Sequence, residues 1–297
     1  MSDNARGALL MVASMATFIV SDTFMKLLSD ELPLFQAIFL RGLGVSFAFL
    51  LLAWRMGALC WPAPRDRRLI GWRVLAECAA AAFFLSALFN MPLANATAIL
   101  QSLPLTMTVA GALILGEKVG VRRITAVVVG FGGVMLIVRP GAEGFNIYAL
   151  VALAAVVAVT LRDIVTRLLS PEVPSVLVAC VTSVGVTVFG GLAAIPTGWV
   201  PPSPGAVLLL AATSLTLIAA YLLSVMTIRA GEVSFVAPFR YTSLVWALLL
   251  GYLVWGDWPD ALTLAGAAVV VAAGSFTLWR AGRKGSAAAV PPDIPRR

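Results

Sequence analysis

No histidine occurs in this 297-residue sequence, and cysteine occurs three times, at Cys60, Cys78 and Cys180. Without an imidazole there is no His-dependent catalysis and no HExxH zinc helix. An odd number of cysteines at unrelated spacings makes neither a disulfide framework nor a Cys-rich metal site. GxSxG and P-loop lysine patterns are missing as well, so no enzyme, metal or cofactor is expected. Charge is scarce: 12% of residues carry one, against about a quarter in soluble domains. A disordered chain is excluded, because disorder requires low hydrophobicity.

What is present is grease. The chain is 61% hydrophobic with a mean hydropathy of +0.98, which makes it an all-α integral membrane protein. A hydrocarbon core about 30 Å thick takes roughly 20 helical residues. Ten stretches meet that length, at about 7–28, 33–54, 72–92, 96–115, 121–138, 147–169, 174–195, 206–228, 233–255 and 260–279. Short turn-forming connections leave no room for a soluble domain.

The net charge of +7 is distributed unevenly rather than aimed at nucleic acid. With the N-terminus inside, Arg6, the Arg55 to Arg73 segment, Lys118, Arg122, Arg123, Arg229 and the tail from Arg280 lie on the cytoplasmic face. Arg139 is then the one base outside, among Asp30, Glu31, Glu143, Asp257 and Asp260. That asymmetry predicts N-in, C-in.

The chain also repeats itself. Ser21 to Ser29 returns as Arg162 to Ser170: Asp22 as Asp163, Lys26 as Arg167 and Leu27-Leu28-Ser29 as Leu168-Leu169-Ser170, at one offset (163 − 22 = 141). Five spans per half is an odd number, so the second half enters from the opposite side as an inverted repeat. The expected divisions are a first half at 1–144, a second at 145–284 and a polar tail at 285–297. Within each repeated stretch an acid and a base four residues apart share one helix face and are expected to pair.

Charges at membrane depth are costly and mark working residues. Those here are Asp22, Lys26, Arg41, Glu77, Arg162, Asp163, Arg167 and Arg240. Arg41 is about eight residues into its span and calls for a carboxylate partner, either Glu77 or the acid of a substrate. The densest polar cluster is Pro238-Phe239-Arg240-Tyr241-Thr242-Ser243, where Pro238 breaks the helix and frees carbonyls. The matching fourth span holds Gln101, Ser102 and a second break at Pro104. Gln101, Arg240, Tyr241, Thr242, Trp246, Asn90 and Tyr221 are the candidate substrate contacts, with the remaining charges assigned to gating or charge balance. Arg240→Ala is expected to abolish transport. Gly130-Phe131-Gly132-Gly133 and Gly266 to Gly274 let backbones approach closely, so the fifth and tenth spans read as scaffold or a dimer contact.

Arg41 in Phe39-Leu40-Arg41-Gly42, the Pro104 to Gly116-Glu117 spacing, and Ala237 to Leu244 followed by Gly256-Asp257-Trp258-Pro259 resemble the drug/metabolite transporter superfamily, EamA type, over about residues 7–280. In size and layout the chain is similar to bacterial amino-acid exporters of the YddG kind. That resemblance implies export of amino acids and related small metabolites by alternating access, through a ring built from spans one, three, four, six, eight and nine.

The expected protein is thus a multi-pass carrier of the cell inner membrane, monomer or homodimer, whose partners are the lipid bilayer and a small molecule. Carriers of S-adenosylmethionine, nucleotide sugars or polyamines share the same frame and are the alternatives. An intramembrane acid dyad is disfavoured, since Asp22 and Asp163 fall near opposite faces of the inverted topology. A sensor would bind without flux.

Overall fold

The computed structural model describes residues 3–117, 119–139, 146–230 and 233–288. The expected boundary at 144/145 lies outside the described residues, as does the tail beyond residue 288. Prolines seed many of the helices. Pro33, Pro92 and Pro174 immediately precede α2 (Leu34–Arg55), α4 (Leu93–Leu100) and α8 (Ser175–Ala194). Pro64 and Pro204 are the first residues of α3 (Pro64–Asn90) and α9 (Pro204–Ala230). A fixed φ suits the first helical turn, where the missing N–H has no partner to lose.

The remaining helices are α1 (Asp3–Leu27), α5 (Leu103–Ile114), α6 (Val121–Val138), α7 (Tyr148–Arg167), α10 (Val233–Val236), α11 (Thr242–Trp255) and α12 (Ala261–Ala288). α12 therefore continues into the stretch expected as tail. Among the described residues nine helical spans are long and apolar enough to cross a membrane, and Ala261–Thr277 is a shorter apolar one. Two of the ten are broken. The fourth comprises α4 and α5 with a turn at Gln101 and Ser102, and the ninth comprises α10, a 3-10 turn over Ala237–Tyr241 and α11. Pro104 sits in the first turn of α5 and Pro238 in that of the 3-10 segment, so each follows its interruption closely.

Helices pair across the two halves: α1 with α9, α2 with α8, α3 with α7, and α6 with α12. Counted as spans, these are one with eight, two with seven, three with six and five with ten. Exchanging the halves turns the first pair into the third and leaves the other two unchanged.

The pairs are joined by small side chains and polar glue. Between α1 and α9, Ser14 Oγ donates to the Ala220 carbonyl at 2.9 Å, and Ser21 and Thr213 share hydroxyls at 3.0 Å. Between α6 and α12 the backbones touch: a Cβ on Gly133 would lie 2.8 Å from the Gly266 carbonyl, and one on Gly266 would lie 2.6 Å from that of Gly133.

Candidate functional site

A cavity of about 120 Å³ opens between α2, α3, α8 and α9. Arg41 from α2, Arg73 and Glu77 from α3, Thr182 and Ser183 from α8 and Tyr221 from α9 line it, over an apolar floor that includes Ile38, Val45 and Phe49. Arg41 lies within electrostatic reach of Asp22 on α1, of Tyr221 and of Glu77. Arg162 of α7 pairs with Glu77 at 3.1 Å and with Asp163 at 2.8 Å. Arg73 donates to Thr166 at 2.9 Å and to Thr182, tying α3 to α7 and α8. The Tyr221 ring stands edge-on to Phe18 at 5.3 Å and to Phe49 at 5.9 Å. Guanidinium and carboxylate groups thus converge beside an aromatic wall inside an otherwise apolar frame, where low dielectric strengthens each interaction.

Arg41, Glu77 and Tyr221 line this cavity, with Asp22, Arg162 and Asp163 linked to it by charge. The other expected contacts lie elsewhere. Gln101 is buried and donates to Ser243 at 2.7 Å, joining the two broken spans. Tyr241 is buried with its ring against Gly274 of α12: a Cβ there would overlap its hydroxyl. Thr242 bonds the Phe239 carbonyl of its own chain turn at 2.7 Å. Trp246 packs against the hydrophobic cluster that includes Met25, Leu28, Leu88 and Ala247. Asn90 is exposed and bonds the Ser86 carbonyl at 2.8 Å. Arg240 lines a second cavity of about 220 Å³ with Met11, Met15, Ser224 and Thr227. Tyr241 and Trp246 thus pack on neighbouring helices, whereas Tyr221 lines the cavity.

Both acid–base pairs four residues apart also resolve differently. Lys26 donates to the Leu88 and Met91 carbonyls at 2.9 and 2.7 Å, with its ammonium 5.5 Å from the Trp255 ring. It caps the C-terminal end of α3, where unpaired carbonyls and the helix dipole attract a cation. Asp22 is left facing Arg41. In the second copy Arg167 reaches Glu117 at 3.4 Å, and Asp163 takes its own neighbour Arg162. Neither acid keeps its expected helical partner.

Arg73 belongs to the site although its sequence position places it at the cytoplasmic face. α3 starts at Pro64, eight residues before the expected 72, so Arg73 lies in the third turn rather than at the end. Pro64, directly before the charged Arg65-Asp66-Arg67-Arg68 run, is the signal that locates this start. The ring is corrected too: spans two, three, seven and eight line this cavity, spans one, eight and nine line the second, and four and nine meet each other through Gln101. Among the described residues no three Cys, Asp or Glu side chains converge on a metal position.

Apolar helical spans packed around a charged cavity define a multi-pass membrane protein of the transporter class. The sequence profile of the EamA-like transporter family matches residues 5–139 and again residues 146–279, and the chain belongs to that family. It is 33% identical over 195 residues to a riboflavin transporter of Vibrio cholerae, covering 64% of each chain. With an S-adenosylmethionine uptake transporter of Rickettsia bellii it shares 27% identity over 190 residues, 63% of this chain and 64% of that one. The chain thus spans just under two thirds of the length of both relatives. It matches the pseudopaline exporter CntI of Pseudomonas aeruginosa at 27% identity over 278 residues, 90% of this chain and 94% of the exporter. Those names give three different substrates, and amino acids are not among them. A solved crystal structure superposes with a TM-score of 0.66 over 94% of this chain and 98% of that chain, at 19% identity, a likeness of fold alone.

Proposed function

We propose that this transporter is a secondary carrier of the inner membrane for amino acids and related carboxylate-bearing metabolites, binding them in the Arg41 cavity. The observation that carries the reading is the convergence of Arg41 and Arg73 on one cavity in which Glu77 is already paired with Arg162. A substrate carboxylate fits the guanidinium of Arg41, and a substrate amine fits the Asp22 side of the same residue. Arg240 and the break at Pro238 then serve the movement of the broken spans rather than recognition.

Alternating access follows from two halves related as an inverted repeat, N-in and C-in. The pair set that maps onto itself when the halves are exchanged supports this relation. So does the repeat of Asp22 as Asp163. Outward transport is supported by the exporter matched over 90% of the chain.

A second reading has its own support. The aromatic wall of Tyr221, Phe18 and Phe49 suits a flat heteroaromatic, and the Vibrio relative is named for riboflavin.

Flux into proteoliposomes, measured with labelled amino acids, S-adenosylmethionine and riboflavin, separates the readings. Saturable amino-acid flux that falls at least tenfold in Arg41→Gln and persists in Arg240→Ala supports the proposal. Flux of riboflavin alone establishes the second reading. Loss in Arg240→Ala with retention in Arg41→Gln moves the site to the second cavity.

A further inference from the structure

On the face of α3 and α8 turned away from the transport cavity runs a groove of about 550 Å³. Ile70, Gly71, Val74 and Leu75 of α3 form one wall, and Leu177 and Val181 of α8 form the other. Gly71 borders open space in the groove: a Cβ there would meet nothing within 4 Å. Deeper along the same two helices Gly185 admits Val74, whose Cγ1 would lie 2.4 Å from a Cβ there, so the helices close on each other and the groove ends.

The mouth of the groove is basic and aromatic. Arg65, Arg67 and Arg68 are exposed, and none of them forms an ion pair among the described residues. Asp66, the acid in their midst, is buried and turned inward to accept from the Ser170 N–H and hydroxyl at 3.1 Å. The Arg67 guanidinium stands 5.0 Å from the ring of Trp61, and Trp61 is 82% exposed. Exposed tryptophan beside unpaired arginine is the composition of a headgroup-level belt.

We propose that this groove binds one anionic phospholipid, an acyl chain lying along Gly71 between α3 and α8 and the headgroup phosphate held at Arg67. The apolar walls match the chain and Arg67, the cation that lines the groove, matches the phosphate, with the aromatic ring at the level where a lipid changes from oil to salt. A zwitterionic lipid fills the walls equally well but sets its own ammonium beside the phosphate, among bases, so charge complementarity selects the anionic class. A second copy of this chain in the same groove is the competing occupant.

Native mass spectrometry of the detergent-solubilised protein, exchanged against phosphatidylglycerol and against phosphatidylcholine, tests the assignment. One phosphatidylglycerol is expected to be retained, in at least tenfold preference to phosphatidylcholine. Arg67→Gln is expected to lower its retention about fivefold, the effect of one cation near an anionic headgroup, whereas Arg6→Gln leaves it unchanged. Gly71→Leu keeps every charge and fills the groove, and is expected to abolish retention while the protein elutes as wild type on size exclusion. Equal retention of the two lipids, equal loss in Arg6→Gln and Arg67→Gln, or undiminished retention in Gly71→Leu would each overturn the proposal. So would a dimer that displaces the lipid. None of these outcomes depends on which molecule is transported.

Discussion

Gln101 and Ser243, 142 residues apart in the chain, are joined by a 2.7 Å bond from the Gln101 amide to the Ser243 hydroxyl, which in turn donates to the Arg240 carbonyl at 2.9 Å. Each residue sits at the interruption of its own span. The bond therefore ties the two broken helices together at corresponding places in the two halves, and both side chains are buried.

The two ends of that bond are not equivalent. Gln101→Met removes a donor and leaves Ser243 still bonded to Arg240, at a cost of about 1 kcal/mol. Ser243→Ala leaves the buried amide only a long 3.5 Å contact to the Arg240 carbonyl and is expected to cost more, about 1–3 kcal/mol. Thermal unfolding in detergent reads the order, at roughly 2–4 °C per kcal/mol. Equal losses would mean that the Arg240 carbonyl serves the Gln101 amide as well as Ser243 does.

Adjacent glycines on α6 are expected to respond with opposite signs. Gly133→Ala drives a Cβ to 2.8 Å from the Gly266 carbonyl and 3.0 Å from Val269. Backbone cannot yield as a side-chain tip does, so destabilisation of about 1–3 kcal/mol follows. A Cβ at Gly132 meets nothing within 4 Å, and Gly132→Ala gains about 0.5–1 kcal/mol of helix propensity. Paired melting curves of the two variants check the contrast.

These examples show what sequence alone reaches. Runs of apolar residues and the return of Asp22 as Asp163 locate the spans and the two halves, because length and repetition need no partner to be seen. Rotation about each helix axis is less legible. In a bilayer both faces of a helix are apolar, so periodicity does not say which way Tyr241 or Trp246 turns, and each packs on neighbouring helices. Lys26 was beyond reach for another reason: its partners are the backbone carbonyls of Leu88 and Met91, which no residue pattern encodes. Arg41, Glu77 and Tyr221 stood out as polar groups at depth. Only the start of α3 at Pro64 adds Arg73 to them.

Arg139 and Asp260 form an ion pair that links the end of α6 to the start of α12, and Asp260 also accepts from the Thr263 N–H at 2.8 Å. The bond from Arg139, followed by that backbone N–H, holds the Asp260 carboxyl below the usual aspartate range. A carboxyl with a depressed folded pKa contributes stability that is full above its unfolded pKa and is lost as pH falls through the folded one. Asp260→Asn keeps the cap and removes the charge. Its melting temperature is expected to lie slightly below wild type at neutral pH, by about 0–1 kcal/mol for so exposed a pair, and to converge with it on acidification below the ordinary aspartate range. A gap that widens on acidification would contradict the assignment.

Glu77 and Arg162 meet at 3.1 Å with about a fifth of each side chain exposed, 18% and 22%. Breaking such a pair from one side leaves a charge poorly solvated, at a cost of about 3–5 kcal/mol when burial is complete. The two single variants should nevertheless differ. Glu77→Gln leaves Arg162 its second partner, Asp163 at 2.8 Å, whereas Arg162→Gln releases two carboxylates at once beside the cavity. Arg162→Gln is therefore expected to be the more destabilising, and the double variant to cost less than the sum of the singles by about 1–3 kcal/mol. Flux separates a second consequence from stability. With Glu77 neutral, Arg41 keeps Asp22 and Arg73 keeps Asp163 within reach, but both lose one competitor for a substrate carboxylate, so Glu77→Gln is expected to bind anionic substrates more tightly and release them more slowly. A lowered KM together with a lowered maximal rate is the expected signature in proteoliposomes. An unchanged KM would confine Glu77 to holding α3 against α7.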